Sequence, residues 1–463
     1  MKPPVVVIPG VTATTLKDFY PTSAETVWGM LAKDYLRVAL HPDNLRYEQI
    51  EPALLRPDEP LSIPYDEFVK ELRHDLTRKR DEPRPVFLFS YDWRQPLEVL
   101  VEHLKGFLEE VVARTALLRH YARDTPQYSH DTGRVDLVGH SMGGLLVAGY
   151  LARNPSTHRA RKVVTLGTPF GGSFEAVIKV ITGTSGLDTD VPRSREREVA
   201  RVTPSLYHLI PGREVLVESG PSSLPDSLFH VDLWQRSVLE SIAEHIRHQG
   251  VAPERSKAGR LEQAKELLQG MLDRARRFRA QAGQLRLEQA GLGEADWMAV
   301  VGIGQETRLS LEIQDRGAGK GSHFRLRSLH RKNGYPVPVM KDDRVVADLD
   351  DTGDGTVPYW AAVPPFMDPC RLVCVSPDDF GYWELRDRLL GRHIANLHSM
   401  LPAMNRVIKL SAAFLDARQG ARATGHPGIR GRRAPECLEG DRGWDPPFRN
   451  LKETIPEEMG GVD

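Results

Sequence analysis

The chain has 463 residues, a formal net charge of −1 at pH 7, 40% hydrophobic residues and only three cysteines. That length suits one large domain with an insertion, or two domains, and the balanced charge gives no basic footprint for nucleic acid. Three cysteines make no disulfide framework and the apolar runs fall far short of a membrane span, so a soluble globular chain in a reducing compartment is expected.

The N-terminal "MKPPVVVIPG" has only four successive apolar residues before Pro9-Gly10. A signal peptide needs an apolar core of about 7–15 residues, so a cytoplasmic location is the default expectation. Residues 5–8 and 85–91 read as buried strands, and 96–118 carries helical periodicity through Leu97, Leu100, Val101, Leu104, Leu108 and Val111. Residues 135–138 are short, apolar and β-branched, which suits a strand end. The Leu/Ala-rich stretch 144–153 suits a buried helix that Asn154-Pro155 stops. Residues 162–166 form the next strand, ended by "GTPFGG". Strands alternating with helices imply a mostly parallel α/β sheet flanked by helices.

Past Gly183 the pattern changes. Residues 231–290 are helical and charge-rich, with Leu261, Leu268, Leu272 and Ala275 on one stripe. They are expected to form an inserted helical cap with a solvated charged face. Sheet character returns at 297–304, a last strand is expected at 371–375, and an amphipathic helix closes at 404–417. The domain reading is therefore a core of 1–182 and 297–415, a cap of 183–296, and a Gly/Arg/Pro-rich tail of 416–463. If "CRLVCV" is strand, Cys370 and Cys374 share a face roughly 13 Å apart, too far to bridge.

The chemistry centres on "GHSMG", residues 139–143, between a strand and a helix. A sharp strand-to-helix turn forces its middle residue into strained φ/ψ, and glycine two positions before and after removes clashing side chains. The Ser141 hydroxyl then stands above the sheet near a helix N-terminus, where the dipole and free N–H groups favour an oxyanion. A serine nucleophile needs a base in reach and a carboxylate to hold that base's tautomer. Asp354, in the tight turn "GDG" within "DLDDTGDGTVPYW", is the favoured acid, with Asp348, Asp350 and Asp351 as rivals. His398, next to the last helix, is favoured as base over His393. The oxyanion donors are expected to be the backbone N–H of Met142 and that of Val11, in the turn that Gly10 opens. His140 is expected to pack against the sheet rather than titrate usefully.

Other signals are weak. The acidic stretch around Asp348 and Asp350 half-resembles a calcium loop but lacks the bidentate Glu at position 12. "GIGQE" at 302–306 lacks the third dinucleotide glycine, and no Cys/His grouping has metal spacing. No metal and no cofactor are expected.

Four separated segments resemble one family: "VVVIPGVTATTL" with "TVWGM", "SYDWRQP", "LVGHSMGGLLV" with "TLGTPFGGS", and "GDGTVPYWAA". They look like the lecithin:cholesterol acyltransferase-like family of α/β-hydrolases, and "PSLYHLIP" is similar to a cap segment of that family. The resemblance covers residues 1 to about 415. It implies an α/β-hydrolase fold, a Ser141–Asp354–His398 triad, lipid-ester or acyl-ester substrates, hydrolysis or acyl transfer, and no cofactor. The chain departs from the secreted members, which have a signal peptide and a disulfide-pinned lid; residues 18–30 hold no cysteine. At most transient contact with a lipid surface is therefore expected. Trp28 and Phe170 are candidates for the substrate pocket or lid, and Asp92 and Arg94 read as structural partners. The leading expectation is a serine esterase or lipase-like hydrolase; the rivals are an acyltransferase and a non-catalytic binding scaffold. Acyl length, head group and oligomeric state are left open.

Overall fold

The computed structural model describes residues 2–19, 23–29, 33–42, 55–123, 127–183, 194–212, 216–218, 224–225, 227–305, 307–308, 311–315, 322–325, 331–332, 335–336, 340–341, 344–345, 353–380 and 397–417. Six short, β-branched segments form the central sheet: β1 (Val5–Ile8), β2 (Val86–Leu88), β3 (Val135–His140), β4 (Ala160–Leu166), β5 (Trp297–Gly302) and β6 (Val373–Val375). Their spatial order is β6-β5-β4-β3-β1-β2, and every pairing is parallel. All-parallel strands need cover on both faces, which is why they read as continuous apolar runs rather than alternating ones.

Side chains nevertheless alternate between two cores. Val6, Ile8, Leu137, Val163 and Val301 point into one, and Val5, Val7, Val138, Val164 and Val300 into the other. Helix α1 (Ser62–Leu76), through Phe68 and Leu72, lies on the second face with the C-terminal helix (Asn405–Asp416). Helices α2 (Leu97–Ala116) and α3 (Met142–Arg153) cover the first face. The chain runs from β1 to edge strand β2, then crosses back over β1 to β3 and proceeds the other way through β4, β5 and β6. The direction therefore reverses at the β1/β3 pair, the place where open α/β sheets present their ligand crevice.

The region between β4 and β5 holds α4 (Phe174–Thr182), α5 (Ser194–Arg201), α6 (Pro204–His208), α7 (Arg236–Gln249) and the long α8 (Lys257–Gly283). The stripe Leu268, Leu272, Ala275 of α8 is buried as expected, but against the rest of the protein and not only within an insertion: α8 packs on α6, α7 and α3. Phe278 fills the space left by Gly149 of α3. An antiparallel three-stranded sheet of Thr14–Asp18, Glu25–Trp28 and Leu55–Pro60 follows β1. The C-terminal helix is numbered α10, after the short α9 (Leu397–Met400).

Two expectations are corrected by the backbone. The last strand covers only Val373–Val375, because Pro369–Arg371 forms a 3-10 turn that takes Cys370 off the strand carrying Cys374. Strand 85–91 shortens to Val86–Leu88, since the following "SYDWRQP" is loop. Residues 418–463, including most of the expected tail, lie outside the described residues. No helix among the described residues is long and apolar enough to cross a membrane.

At the N-terminal end of the sheet, Asp136 is fully buried between the guanidinium groups of Arg84 and Arg161. Arg161 also donates to the Leu415 carbonyl at 2.7 Å, and Lys162 donates to the Phe414 carbonyl at 2.8 Å, tying the end of α10 to the sheet. Taking away one partner of such a network leaves buried charge uncompensated, at a cost of about 3–5 kcal/mol. Asp136→Ala should therefore lower the unfolding free energy in urea by at least about 3 kcal/mol; a loss below about 1 kcal/mol would show that water reaches these groups.

Candidate active site

The carboxyl ends of β1 and β3 meet at residues 139–143. Ser141 has φ 53° and ψ −125°, a positive φ that a residue with a side chain rarely adopts and that costs of order 1–3 kcal/mol. The turn is held by the Ser141 N–H on the Leu166 carbonyl at 2.8 Å and the Gly144 N–H on the Ser141 carbonyl at 3.0 Å. Gly143 is required by close approach: a methyl there would run into the Ile8 carbonyl oxygen of β1. The strand–turn–helix context expected from the sequence is the one observed.

Three expected residues come together above this turn. His398 Nε2 lies 2.9 Å from Ser141 Oγ, and His398 Nδ1 lies 2.7 Å from Asp354 Oδ2. All three are nearly enclosed, with 5%, 2% and 1% of Ser141, His398 and Asp354 exposed. A carboxylate only accepts, so His398 Nδ1 carries the proton and Nε2 presents its lone pair to the serine hydroxyl. The other Asp354 oxygen accepts from the Thr356 and Val357 N–H groups at 3.0 and 2.7 Å. The His398 N–H donates to the Asp354 carbonyl at 3.0 Å, so the two residues are fixed to each other by backbone as well as side chain. The rivals His393, Asp348, Asp350 and Asp351 lie outside the described residues.

The loop after β1 faces the serine. A side chain at Gly10 would meet Ser141 Cβ at 3.0 Å, so backbone and nucleophile are in direct apposition. Among the described residues neither the Val11 nor the Met142 N–H has a hydrogen-bond partner, whereas the Gly10 N–H is already given to the Tyr65 hydroxyl at 2.9 Å. Thr12 adopts φ 62°, an uncommon conformation stabilised from outside. Trp28 Nε1 donates to the Thr12 carbonyl at 2.9 Å, Tyr91 Oη donates to the Pro9 carbonyl at 2.7 Å, and Trp93 Nε1 donates to the Thr14 carbonyl at 3.2 Å. Trp28 is thus buried, its ring 4.9 Å from that of Trp93, and it holds this loop.

"YDWRQP" has an inner order of its own. Arg94 clasps both Asp92 oxygens at 2.8 Å and donates to the Val38 carbonyl at 3.1 Å. Burial alone would raise the Asp92 carboxyl, but Arg94 and Gln95 hold it below its usual value. Phe170 is half-buried and meets Phe366 edge-on at 5.8 Å, with its carbonyl taken by Arg279 at 3.0 Å. An open cavity of about 540 Å³ lined by Thr26, Lys33, Asp34, Tyr35, Leu36 and Arg195 contains no triad residue.

Several supports escaped the sequence reading. "GIGQE" supplies two: Gly302 leaves the space Asp354 Cβ occupies, and Gln305 joins the acid and base loops. Its N–H donates to the Gly353 carbonyl at 3.1 Å and its side-chain oxygen accepts from the Leu397 N–H at 2.7 Å. Thr307 Oγ1 accepts from the Gly355 N–H at 2.7 Å. Tyr65, whose hydroxyl takes the Gly10 N–H, is a fourth, and of the four only Gly302 left a mark in the sequence, as a glycine of "GIGQE". Glu71, His74 and Asp75 are the one carboxylate–histidine group among the described residues close enough to share an ion, and Lys409 already pairs with Asp75 at 2.8 Å.

With this geometry in place, the fold is that of the α/β-hydrolases. Residues 65–232 match the family model described as lecithin:cholesterol acyltransferase. The chain is therefore an α/β-hydrolase, similar to that family over this segment, and an enzyme of the esterase and acyltransferase class. No curated protein matches the chain. Among solved structures it is similar to a chain of the Tle4–Tli4 complex, with 16% identity over 78% of this chain and 89% of that one and a TM-score of 0.53, which speaks to the fold alone. It also aligns with the siderophore hydrolase EstB from Aspergillus fumigatus at 15% identity over 58% of this chain and 78% of that one, but at a TM-score of 0.18. That second superposition is too loose to carry an argument.

Three buried histidines and the half-buried His245 set an acid limit on the fold. Burial, with the His398 ring alongside, pushes His140 down to about 3. Burial likewise pushes His208 down to about 3 and lowers His158 and His245. In the unfolded chain these groups take up protons near pH 6.5, while the folded protein takes them up only at lower pH. Their stabilisation is therefore complete above about pH 6.5 and is lost as pH falls from there. Tm should drop steadily between pH 7 and pH 5, and less steeply in His208→Gln; a Tm flat across that window would show that these rings are accessible to water.

Proposed function

We propose that the protein is a serine hydrolase that cleaves carboxylic esters, with lipid or acyl esters as the substrate class, through Ser141, His398 and Asp354. The observation that carries the reading is the continuous chain of hydrogen bonds from Ser141 Oγ through His398 to Asp354, at 2.9 and 2.7 Å. In this reading His398 Nε2 takes the hydroxyl proton as Ser141 Oγ attacks the ester carbonyl. Asp354 holds the tautomer and stabilises the imidazolium. The Val11 and Met142 N–H groups receive the developing oxyanion. His398 then gives its proton to the leaving alkoxide, leaving an acyl-Ser141. Water, deprotonated by His398, attacks the acyl-enzyme; the acid leaves and Ser141 regains its proton.

We also propose that the inserted region 183–296 supplies the specificity surface. Its first part, through α7, acts as cap, whereas α8 belongs to the helical layer over the sheet because of its packing on α3. Phe170, beside Phe366, is proposed to line the acyl side of the pocket. Trp28 acts in this reading through the oxyanion loop rather than as a lid. The near-complete enclosure of Ser141 favours a second use of the same acyl-enzyme, in which an alcohol replaces water as acceptor.

The kinetic test uses a chain-length series of p-nitrophenyl esters. Asp354→Asn and His398→Ala should each lower kcat by about three to four orders of magnitude with the fold retained. Near-normal turnover by folded His398→Ala would remove it as the base. Adding a long-chain alcohol separates the two fates of the acyl group: a new ester among the products supports transfer, and free acid alone at every acceptor concentration supports hydrolysis only.

A further inference from the structure

Tyr65 and His140 are buried polar side chains that the triad reading leaves unused. Tyr65 lies on α1, on the face of the sheet opposite α3, yet its hydroxyl reaches the catalytic end of β1. It accepts from the Gly10 N–H at 2.9 Å and lies 2.6 Å from His140 Nδ1. His140 Nε2 lies 2.9 Å from the backbone carbonyl of His398, and the two imidazole rings lie 5.1 Å apart.

The proton positions follow from the partners. A carbonyl only accepts, so His140 Nε2 carries its hydrogen. Nδ1 is then a lone pair and accepts from the Tyr65 hydroxyl, which is left free to accept from Gly10. Each group uses one donor and one acceptor in one direction, and none is left unsatisfied. Burial pushes the Tyr65 phenol up and His140 down to about 3, so both stay neutral and the relay keeps its direction at any ordinary pH.

We infer that Tyr65 is a positioning residue that, through His140, sets the oxyanion loop at Gly10 and the backbone of the base His398 in one register. The inference rests on the triad reading above. It goes further by making two separate parts of the machinery, 388 positions apart in the chain (398 − 10), depend on one phenol. The oxyanion donor next to Gly10 and the imidazole of His398 both have to face Ser141 Oγ. Small misplacement at either costs rate without costing ground-state binding, because only the transition state needs all three aligned.

The test compares Tyr65→Phe, His140→Leu, His140→Gln and the control Tyr121→Phe in the full-length protein, with kcat and KM for a p-nitrophenyl ester and Tm for each. Tyr121 donates to the Lys2 carbonyl at 2.8 Å, at the opposite end of β1, so its phenylalanine variant also loses a buried tyrosine hydroxyl but one that does not reach the site. Tyr65→Phe and His140→Leu should lower kcat on the order of tenfold to a hundredfold with KM little changed. His140→Gln, whose amide nitrogen can take the place of Nε2, should recover most of that loss, and Tyr121→Phe should keep the parent kcat. Parent kcat in folded Tyr65→Phe and His140→Leu overturns the inference and leaves the triad reading intact, as does equal loss in Tyr121→Phe and Tyr65→Phe. Ester turnover by Ser141→Ala equal to that of the parent overturns the triad reading and the inference with it.

Discussion

The arrangement depends on one constrained contact, the passage of Gly143 across the Ile8 carbonyl at the end of β1. Because α3 starts that close to β1, the chain has to leave β3 through a turn with no room for relaxation, and Ser141 is forced to φ 53°. The strain is held by packing: β3 sits between β1 and β4, and α3 is buried over most of its length. The same contact brings the loop after β1 against Ser141, so one steric fact places both the serine and the backbone that faces it. It falls where the order of strands reverses, so the topology leaves a crevice at that point.

A second layer of support consists of aromatic side chains on peptide groups. Tyr65, Tyr91, Trp28 and Trp93 engage Gly10, Pro9, Thr12 and Thr14 in turn, so each end of the loop after β1 is tied to the core. Large rings are suited to this work, because they bury much area while their single polar atom satisfies one backbone group. A loop with Thr12 at φ 62° would otherwise relax away from the serine that it faces. On the other side, Asp354 is locked by two N–H groups of its own turn and by Gln305 behind it. The proposed triad is thus held from both sides by bonds that do not change during the proposed reaction.

Much of the fold and of the candidate site was legible because local geometry leaves local marks. The elbow needs glycines flanking a serine, the acid turn needs "GDG", and a histidine before a final helix has few other reasons for its place. Parallel strands show as apolar β-branched runs, and their ends moved by only a few residues. Tyr65 and Gln305 left no such mark: they act on groups 75 and 92 positions away, and spacing along the chain says nothing about those meetings. The "GIGQE" stretch looked like a failed nucleotide loop because glycine reports close approach without naming what approaches. The α8 stripe showed that a face is buried, but amphipathicity cannot say against what, and the partner proved to include the core helix α3.

The central claim is that Ser141 is an activated nucleophile, and covalent labelling tests it most directly. The account predicts that a fluorophosphonate probe forms one adduct per chain, that peptide mass mapping places it on Ser141, and that folded His398→Ala labels far more slowly. No adduct on Ser141, under conditions that label a control esterase, would contradict it.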